Sequence, residues 1–171
     1  MSHFTISTLN PDLHRRDVFD CGVPELNRYL KEQASQDMRR LASGCWVLTA
    51  ITDPSSILGF YTLSHEGIEL SHLPENKALL KKLPRYPRLG AILLGRLAVS
   101  ASQQGKGIGQ KLLMDALHRS AQDEIPASLL VVDAKDAHAE AFYLRFGFER
   151  LSSGRLFYPM HALRKGLEYS K

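Results

Sequence analysis

The residues with the clearest chemical meaning are three glycines at alternate positions, Gly105, Gly107 and Gly109, which follow a polar turn. Apolar residues recur at helical spacing from Ile108 onward, so a helix is expected to begin among these glycines. Glycine leaves backbone N–H groups uncovered, and a helix N-terminus adds unpaired donors and a partial positive charge. Such a loop favours a phosphate ligand, and Lys106 supplies a mobile cation beside it.

The spacing of the glycines narrows the choice of phosphate ligand. A Walker loop has four residues between its glycines, followed by Lys-Ser or Lys-Thr, which this segment lacks. A dinucleotide-binding loop has two residues before its last glycine, and the acidic residue expected further along the chain is not evident. A glycine-rich turn without any ligand is the alternative, because glycine pairs are common in turns.

A second segment of interest begins with the apolar run Leu129–Asp133, which is typical of a buried strand. Lys135 and Asp136 are suited to cap a short helix, and Gly147 stands where that helix is expected to end.

Both segments resemble the two signatures of the GNAT family of N-acetyltransferases, in the family's order. The first signature is carried by Gln104, Gly107 and Gly109, and the second by Ala139, Phe142-Tyr143 and Gly147-Phe148. The resemblance implies acetyl-CoA as co-substrate, with its diphosphate on the loop and its pantetheine arm along the preceding strand. The residues implied to bind it are Leu97, Ala98, Val99, Gln104, Gly105, Lys106, Gly107, Ile108, Gly109 and Phe142.

The resemblance also implies an α/β fold. A single GNAT acetyltransferase domain is expected to span residues 1–171, with a twisted, mixed but mostly antiparallel sheet and flanking helices. Its two central parallel strands, here Ala91–Val99 and Leu129–Asp133, splay apart. A splay leaves main-chain groups without ladder partners, and the pantetheine arm is expected to pair with this open edge near Leu97–Val99.

Acetyl transfer to an amine requires a polarised thioester carbonyl, a neutral amine and a proton for the departing thiolate. A backbone N–H near Ala98 or Val99 is placed to polarise the carbonyl. By the resemblance, Tyr143 is the general acid, because a phenol with an ordinary pKa near 10 stays protonated at pH 7. A tyrosine that only packs against the cofactor is the alternative. No general base stands out, and each of the candidates is expected to be a surface residue: His65, Glu66, Glu69 and His138.

The composition is that of a globular protein of one domain. The chain has 171 residues, of which 44% are hydrophobic and 23% charged. No run approaches the roughly 20 apolar residues of a membrane span, and Met1–Asn10 has no features of a secretion signal. Cys21 and Cys45 give no disulfide framework, and neither they nor the seven histidines show metal-ligand spacing. A cytoplasmic enzyme without a metal is therefore expected.

Positive charge is concentrated in two segments. Between His72 and Arg96 there are six basic residues against the single acid Glu75, and a second group lies in the first helical region. Such clusters are typical of nucleic-acid binding, and a solvated basic surface is the alternative. The absence of an evident base fits an α-amine, whose pKa is lower than that of a lysine side chain. Aminoacyl-tRNA carries such an amine on a large polyanion.

A closer resemblance, to one branch of the family, covers most of the chain. It is carried by Phe19-Asp20-Cys21-Gly22, Leu26–Leu30, Gly59–Ser64 and Gly95–Val99. The branch comprises the acetyltransferase toxins of bacterial type II toxin–antitoxin systems. It implies acetylation of the α-amine of aminoacyl-tRNA, which blocks translation, a ribbon-helix-helix antitoxin as partner, and a homodimer. The residues then expected to bind the tRNA are Lys31, Arg39, Arg40, Lys81, Lys82, Arg85, Arg88 and Arg96.

Two alternatives remain open at this point. By the resemblance Arg96 lies near the reactive centre, where it contacts the tRNA end or orders the site, but a buried arginine paired with a carboxylate is an equal interpretation. The protein could also be an N-acetyltransferase that acts on a small-molecule amine or a protein N-terminus. An inactive module that binds CoA or a DNA-binding partner is a further hypothesis, because a fold alone does not fix function.

Overall fold

The computed structural model describes residues 3–152 and 154–163. Its strands are β1 Phe4–Thr8, β2 Gly44–Ala50, β3 Asp53–Glu69, β4 Arg88–Val99, β5 Leu129–Asp133, β6 Glu149–Ser152 and β7 Arg155–Pro159. They form a seven-stranded sheet in the order β1-β2-β3-β4-β5-β7-β6. The β4–β5 pair is parallel, and the pairs β1–β2, β2–β3, β5–β7 and β6–β7 are antiparallel. The mixed, mostly antiparallel α/β fold expected from the sequence is confirmed.

Residues 160–163 are helical, and five further α-helices accompany the strands in the described residues. They are α1 Pro24–Arg28, α2 Ala34–Arg39, α3 Lys77–Leu80, α4 Ile108–Ala121 and α5 Ala137–Arg145. A π-helical segment, Tyr29–Gln33, joins α1 to α2, and 3-10 turns lie at Leu70–His72 and Ala101–Gln103.

The chain groups into two compact units. The first contains the chain up to Ser64 together with Gly95–Ala116, and the second contains His65–Leu94 together with the chain from Leu117. Each unit has its own cluster of buried apolar side chains. The expectation of a single domain stays a prediction.

The core of the first unit lies between the α1–α2 region and strands β2 to β4. Leu30 and Ala34 from the helical side, and Val47 and Phe60 from the strands, are fully buried. Phe60 contacts Phe19 edge-on, with ring centroids 5.6 Å apart. Burial of each large apolar side chain contributes about 1.5–3 kcal/mol, so this cluster holds the helices firmly on the sheet.

The core of the second unit is built around β5, whose residues Leu129–Val132 are all at most 2% exposed. They pair in parallel with Ala91–Leu94 of β4 and antiparallel with β7, where Phe157 is fully buried. A strand covered on both faces is apolar at every position, which is why the sequence identifies it. The parallel register ends with these four pairs, and β4 continues to Val99.

The hairpin between β2 and β3 turns earlier than the sequence predicts. An Asp-Pro-Ser turn is the expectation at residues 53–55, but the turn residues are Ile51 and Thr52, and β3 already begins at Asp53. The Asp53 carboxylate accepts hydrogen bonds from the N–H and the hydroxyl of Ser55. The segment belongs to the strand because Asp53 pairs with Ala50 of β2, which closes the hairpin over the two residues between them.

Helix α2 ends in a Schellman motif whose left-handed residue is a leucine. The N–H of Leu41 donates to the Met38 carbonyl at 3.2 Å and the N–H of Ala42 to the Asp37 carbonyl at 2.8 Å. Leu41 has φ 57° and is 93% exposed. We expect Leu41→Gly to raise the free energy of unfolding by about 1 kcal/mol, because glycine avoids the steric cost of the left-handed conformation. Urea denaturation measures the change. Leu41→Ala is the control, since it keeps the Cβ atom, and an equal gain from alanine would contradict a backbone origin.

A buried histidine makes stability depend on pH. His14 is 5% exposed, its Nδ1 accepts the Asn10 N–H at 2.9 Å, and burial lowers its pKa below the ordinary 6.5. The unfolded chain therefore binds the proton more readily, so stability is complete above about pH 6.5 and falls as the pH decreases through the folded pKa. We expect the wild type to lose more unfolding free energy between about pH 7.5 and 5.5 than His14→Asn, whose amide oxygen keeps the acceptor. The exposed His138→Asn variant is the control and keeps the wild-type profile. If the free energy of unfolding depends on pH in the same way in the wild type and in His14→Asn, then His14 is not the origin of the dependence.

Candidate active site

Two glycines of the glycine-rich loop have a left-handed backbone conformation. Gly105 and Gly107 have φ of 75° and 79°, and an added Cβ at either position meets no atom within 4 Å. Glycine is thus needed for its conformation, and the space beside it is open to a ligand. Helix α4 starts at Ile108, and the Lys111 N–H donates to the Gly107 carbonyl at 3.2 Å. The N–H groups that precede that of Lys111 at the start of the helix are the donors for which a helix provides no acceptor of its own.

Gln104 anchors this loop to the rest of the first unit. Its amide nitrogen donates to the carbonyl oxygens of Cys21 at 3.0 Å and Val99 at 3.1 Å. Both protons of the amide are used in these bonds, so its side chain holds the loop between the end of β4 and a segment far away in the sequence. The N–H of Ala101 also donates to the Asp20 carbonyl at 2.9 Å.

The segment that receives these bonds is itself fixed by a small polar network. The Asp20 carboxylate accepts the Gly22 N–H at 2.8 Å and the Asn27 amide at 2.9 Å, and Asn27 in turn accepts the Cys21 N–H at 2.9 Å. The bonds from Gly22 and Asn27 lower the pKa of Asp20, so it stays ionised. Sequence reasoning used these residues only as a mark of resemblance and assigned them no role. The structure makes Asp20 and Asn27 supports of the loop anchor.

Helix α4 is held against the sheet at its first turns. Ile108 and Leu112 are at most 1% exposed, and the Tyr61 hydroxyl donates to the Asp115 carboxylate. A Cβ at Gly59 would lie only 2.9 Å from the main-chain oxygen of Ala98 and 2.8 Å from Cδ1 of Leu112, so glycine is needed there for close packing. The N-terminus of α4 is therefore rigidly placed.

Tyr143 lies on α5 in the second unit. Asp136 caps this helix through a bond from the Ala139 N–H at 2.8 Å, and Gly147, with φ 92°, follows its end, as the sequence indicates. The Tyr143 ring packs against Phe148, with centroids 5.3 Å apart, and the residue is 7% exposed.

The surroundings of Tyr143 keep its phenol protonated. Burial raises the pKa of Tyr143 well above its ordinary value. In residues 3–152 and 154–163, no group forms a hydrogen bond with its hydroxyl, which leaves that proton available. The neighbouring Phe142 is half-buried and contacts the Tyr143 ring edge-on, with centroids 5.2 Å apart.

The strand residues predicted to bind the cofactor lie at the end of β4. Ala98 is 5% exposed and belongs to the core of the first unit, whereas Leu97 and Val99 are half-buried. All three follow Leu94, the last β4 residue in the parallel register.

The basic residues predicted to bind tRNA are exposed, apart from Arg96. The first unit carries Lys31, Arg39 and Arg40, and the second unit carries Lys81, Lys82, Arg85 and Arg88. Arg88 lies 3.6 Å from the Glu69 carboxylate, which offsets part of its charge. Lys81 and Arg85 line a groove of about 760 Å³ formed by residues 69–87 of the second unit.

Arg96 is not the buried arginine paired with a carboxylate that the sequence left open, and its contact with the tRNA end stays a prediction. It is half-buried, and its Cζ lies 3.5 Å from the centroid of the Tyr29 ring. The contact is a cation–π stack rather than an ion pair with a carboxylate. The acidic neighbour Asp37 accepts a hydrogen bond from the Tyr29 hydroxyl.

The acidic candidates for a general base are not all surface residues. Glu66 is partly buried and accepts a bond from Arg155 at 2.7 Å, and Arg155 also donates twice to Asp133. These bonds raise the pKa of Arg155, so the guanidinium stays charged. The expectation of a surface Glu66 is therefore wrong, because Arg155, distant in the sequence, covers it. His65 and His138 are exposed.

No helix in the described ranges combines the length and apolarity needed to cross a membrane. No group of three or more His, Cys, Asp or Glu side chains in the same ranges could hold a metal ion.

The chain is similar to known acetyltransferases and toxins. Residues 88–160 match the model of the acetyltransferase (GNAT) domain. A tRNA-acetylating toxin of Mycobacterium tuberculosis is 33% identical over 133 residues, which is 77% of this chain and 76% of the toxin. The solved structure of AtaT complexed with acetyl-methionyl-tRNAfMet is 30% identical, with a TM-score of 0.86, and 96% of this chain and 99% of that chain are covered.

A further solved structure contains a mutant AtaT toxin bound to the C-terminus of the antitoxin AtaR and acetyl-CoA. It is 26% identical, with a TM-score of 0.80, and 99% of this chain and 100% of that chain are covered. These matches cover much more of the chain than the two motifs that carry the family resemblance. The chain therefore belongs to the GNAT acetyltransferase family and, within it, to the branch of the tRNA-acetylating toxins.

Proposed function

We propose that this protein is the toxin of a type II toxin–antitoxin system, which transfers acetyl from acetyl-CoA to the α-amine of aminoacyl-tRNA and so blocks translation. The observation that carries the proposal is the similarity over almost the whole chain to AtaT in complex with acetyl-methionyl-tRNAfMet. An acetylated α-amine cannot act as a nucleophile in peptide-bond formation, because its lone pair is delocalised into the new amide.

The loop Gln104–Gly109 binds the diphosphate of acetyl-CoA in this proposal. The left-handed Gly105 and Gly107 and the orphan N–H groups at the start of α4 favour an anion there. Lys106 is exposed and adds a positive charge. Gln104 acts by holding the loop through Cys21 and Val99, rather than by touching the ligand with its amide protons.

The chemistry is then assigned to β4 and α5. Leu97, Ala98 and Val99 bind the pantetheine arm, and a backbone N–H of this segment polarises the thioester carbonyl. Phe142 packs against the cofactor, and the protonated, unpartnered hydroxyl of Tyr143 gives its proton to the departing thiolate. The amine nitrogen bonds to the carbonyl carbon as the carbon–sulfur bond breaks, the nitrogen then loses one proton to solvent, and the Tyr143 phenolate takes one back from solvent.

Recognition of the tRNA rests on exposed positive charge. Lys31, Arg39 and Arg40 of the first unit, and Lys81, Lys82, Arg85 and Arg88 of the second unit, contact phosphates in this proposal, together with Arg96. Phosphate contacts position a nucleic acid without reading its sequence, so they give affinity that weakens as salt rises.

The partners follow from the same assignment. We expect a ribbon-helix-helix antitoxin, and the support is that a mutant AtaT toxin is bound to the C-terminus of the antitoxin AtaR. A homodimer, a cytoplasmic location and a single domain across residues 1–171 complete the proposal.

The decisive experiment is acetyl transfer with the purified protein and radiolabelled acetyl-CoA. Charged bulk tRNA is the acceptor, and the same tRNA after mild deacylation is the control. We expect label on the charged tRNA alone, and expression of the protein should arrest growth. If charged tRNA stays unlabelled while a small amine or a peptide N-terminus is acetylated, the protein is an acetyltransferase of another substrate class.

A further inference from the structure

Arg96 is held so that its hydrogen-bond donors remain free. Its Cζ lies 3.5 Å from the centroid of the Tyr29 ring. At this distance the guanidinium must lie nearly parallel to the ring, because a tilted group would push a nitrogen into the ring carbons. The five N–H donors lie in the plane of the guanidinium, so they point sideways and away from the ring. Of the residues that the structure describes, none accepts a hydrogen bond from them.

Tyr29 is a rigid platform for this cation. It is 8% exposed, and its ring stacks on Phe60 with an interplanar angle of 14°. Its hydroxyl donates to one oxygen of Asp37 at 2.8 Å, and the other oxygen of Asp37 accepts the Gln33 amide at 2.9 Å. Burial raises the pKa of Tyr29 to about 12, so the phenol remains a donor. Tyr29 also begins the π-helical segment, a rare conformation that is frequent at functional sites.

The place of Arg96 in the chain limits its ligand. It directly precedes Leu97–Val99, the segment proposed to bind the thioester end of acetyl-CoA, and it follows the last residues of the parallel register. The Asp37 carboxylate interacts with the charge of Arg96 through space but accepts no hydrogen bond from it, so a ligand that enters here can supply the acceptors. In a charged tRNA, the anionic group nearest to the reacting amine is the phosphodiester between the last two nucleotides.

On the basis of the proposed function, we propose that Arg96 binds the 3′-terminal phosphodiester of the charged tRNA and that Tyr29 positions its guanidinium to do so. A guanidinium binds phosphate through two parallel N–H bonds. The stack on Tyr29 fixes the plane of the guanidinium beforehand, which reduces the freedom that binding must remove.

The test compares two acceptors that carry the same aminoacyl ester. One is an aminoacylated CCA trinucleotide, and the other is the aminoacyl ester of adenosine, which has no phosphodiester. We expect Arg96→Gln to lower kcat/KM for the trinucleotide about 10- to 100-fold, the range of a charge-assisted bidentate contact, and to leave the adenosine ester within about threefold of wild type. An equal loss with both acceptors would overturn the phosphate assignment and indicate a contact with the ester itself.

Variants of the stack test the role of Tyr29. Tyr29→Phe keeps the ring face, so we expect trinucleotide activity within about twofold of wild type. Tyr29→Leu removes the cation–π contact, and we expect a loss of about five- to tenfold that disappears when Arg96→Gln is also present. Melting temperature and acetyl-CoA affinity serve as controls of folding. A Tyr29→Leu loss that persists in the Arg96→Gln background would contradict the positioning role.

Arg96→Lys provides a test that does not disturb the core. Lysine keeps the charge but has neither the planar fork nor the stacking face, so we expect it to restore little of the activity lost in Arg96→Gln. Full activity of Arg96→Lys would overturn the positioning by Tyr29. If the wild type acetylates none of the charged acceptors, including intact tRNA, the proposed function itself fails, which is a separate outcome.

Discussion

Replacing Tyr143 with phenylalanine is expected to lower kcat for acetyl transfer to charged tRNA about 100- to 1000-fold, the range of a lost general acid. The hydroxyl has no hydrogen-bond partner in the described residues, and the ring fills the packed site against Phe148, so phenylalanine preserves the contacts. The melting temperature and the affinity for acetyl-CoA should therefore stay near those of the wild type. The loss should be in the rate of the chemical step, measured by rapid mixing with saturating substrates.

The pH profile gives an independent check on this assignment. Because burial raises the pKa of Tyr143, the phenol is fully protonated across the physiological range, and the wild type should not lose activity through its ionisation below about pH 10. A Tyr143→Phe enzyme with kcat within threefold of wild type would show that this ring only packs against the cofactor. Tyr158→Phe is a matched control, since Tyr158 also contacts Phe148 but has no proposed catalytic role.

The double variant Lys81→Ala and Lys82→Ala is expected to lower kcat/KM for charged tRNA and to make it depend less on salt. Both lysines are exposed in the second unit. Each phosphate contact contributes about 0.7 to 0.9 to the slope of log affinity against log salt, so the slope for kcat/KM should become shallower by about 1.4 to 1.8. At low salt we expect kcat/KM for charged tRNA to fall about tenfold or more. For an aminoacyl ester acceptor that carries no phosphate, kcat/KM should stay unchanged.

A matched variant separates local contacts from net charge. Arg15→Ala with Lys135→Ala also removes two positive charges, and both residues are exposed. Arg15 pairs with Asp53, and an exposed pair of this kind contributes little to stability. We expect this control to retain the wild-type salt slope. Equal effects of the two double variants would mean that overall charge, and not the segment around α3, attracts the tRNA.

The amino-acid sequence was sufficient where the signal is local. The start of α4 after the glycines, the Asp136 cap and Gly147 end of α5, and the buried β5 all lie where the pattern of neighbouring residues puts them. These features depend on residues a few positions apart, whose backbone preferences and periodicity fix one conformation. The hairpin turn lies at Ile51 and Thr52 rather than at the Asp-Pro-Ser signal, because the pairing of Ala50 with Asp53 between the two strands fixes its position.

The tertiary structure alone decided the roles of side chains that meet across long stretches of the chain. Gln104 bonds to a carbonyl 83 positions away, and Glu66 pairs with Arg155 across 89 positions, which turned an expected surface acid into a partly buried one. The stack of Arg96 on Tyr29 belongs to the same class. Composition and spacing establish which residue types are present and which local elements they form. They carry no information on which two distant side chains come within contact distance, since that depends on how the strands and helices pack.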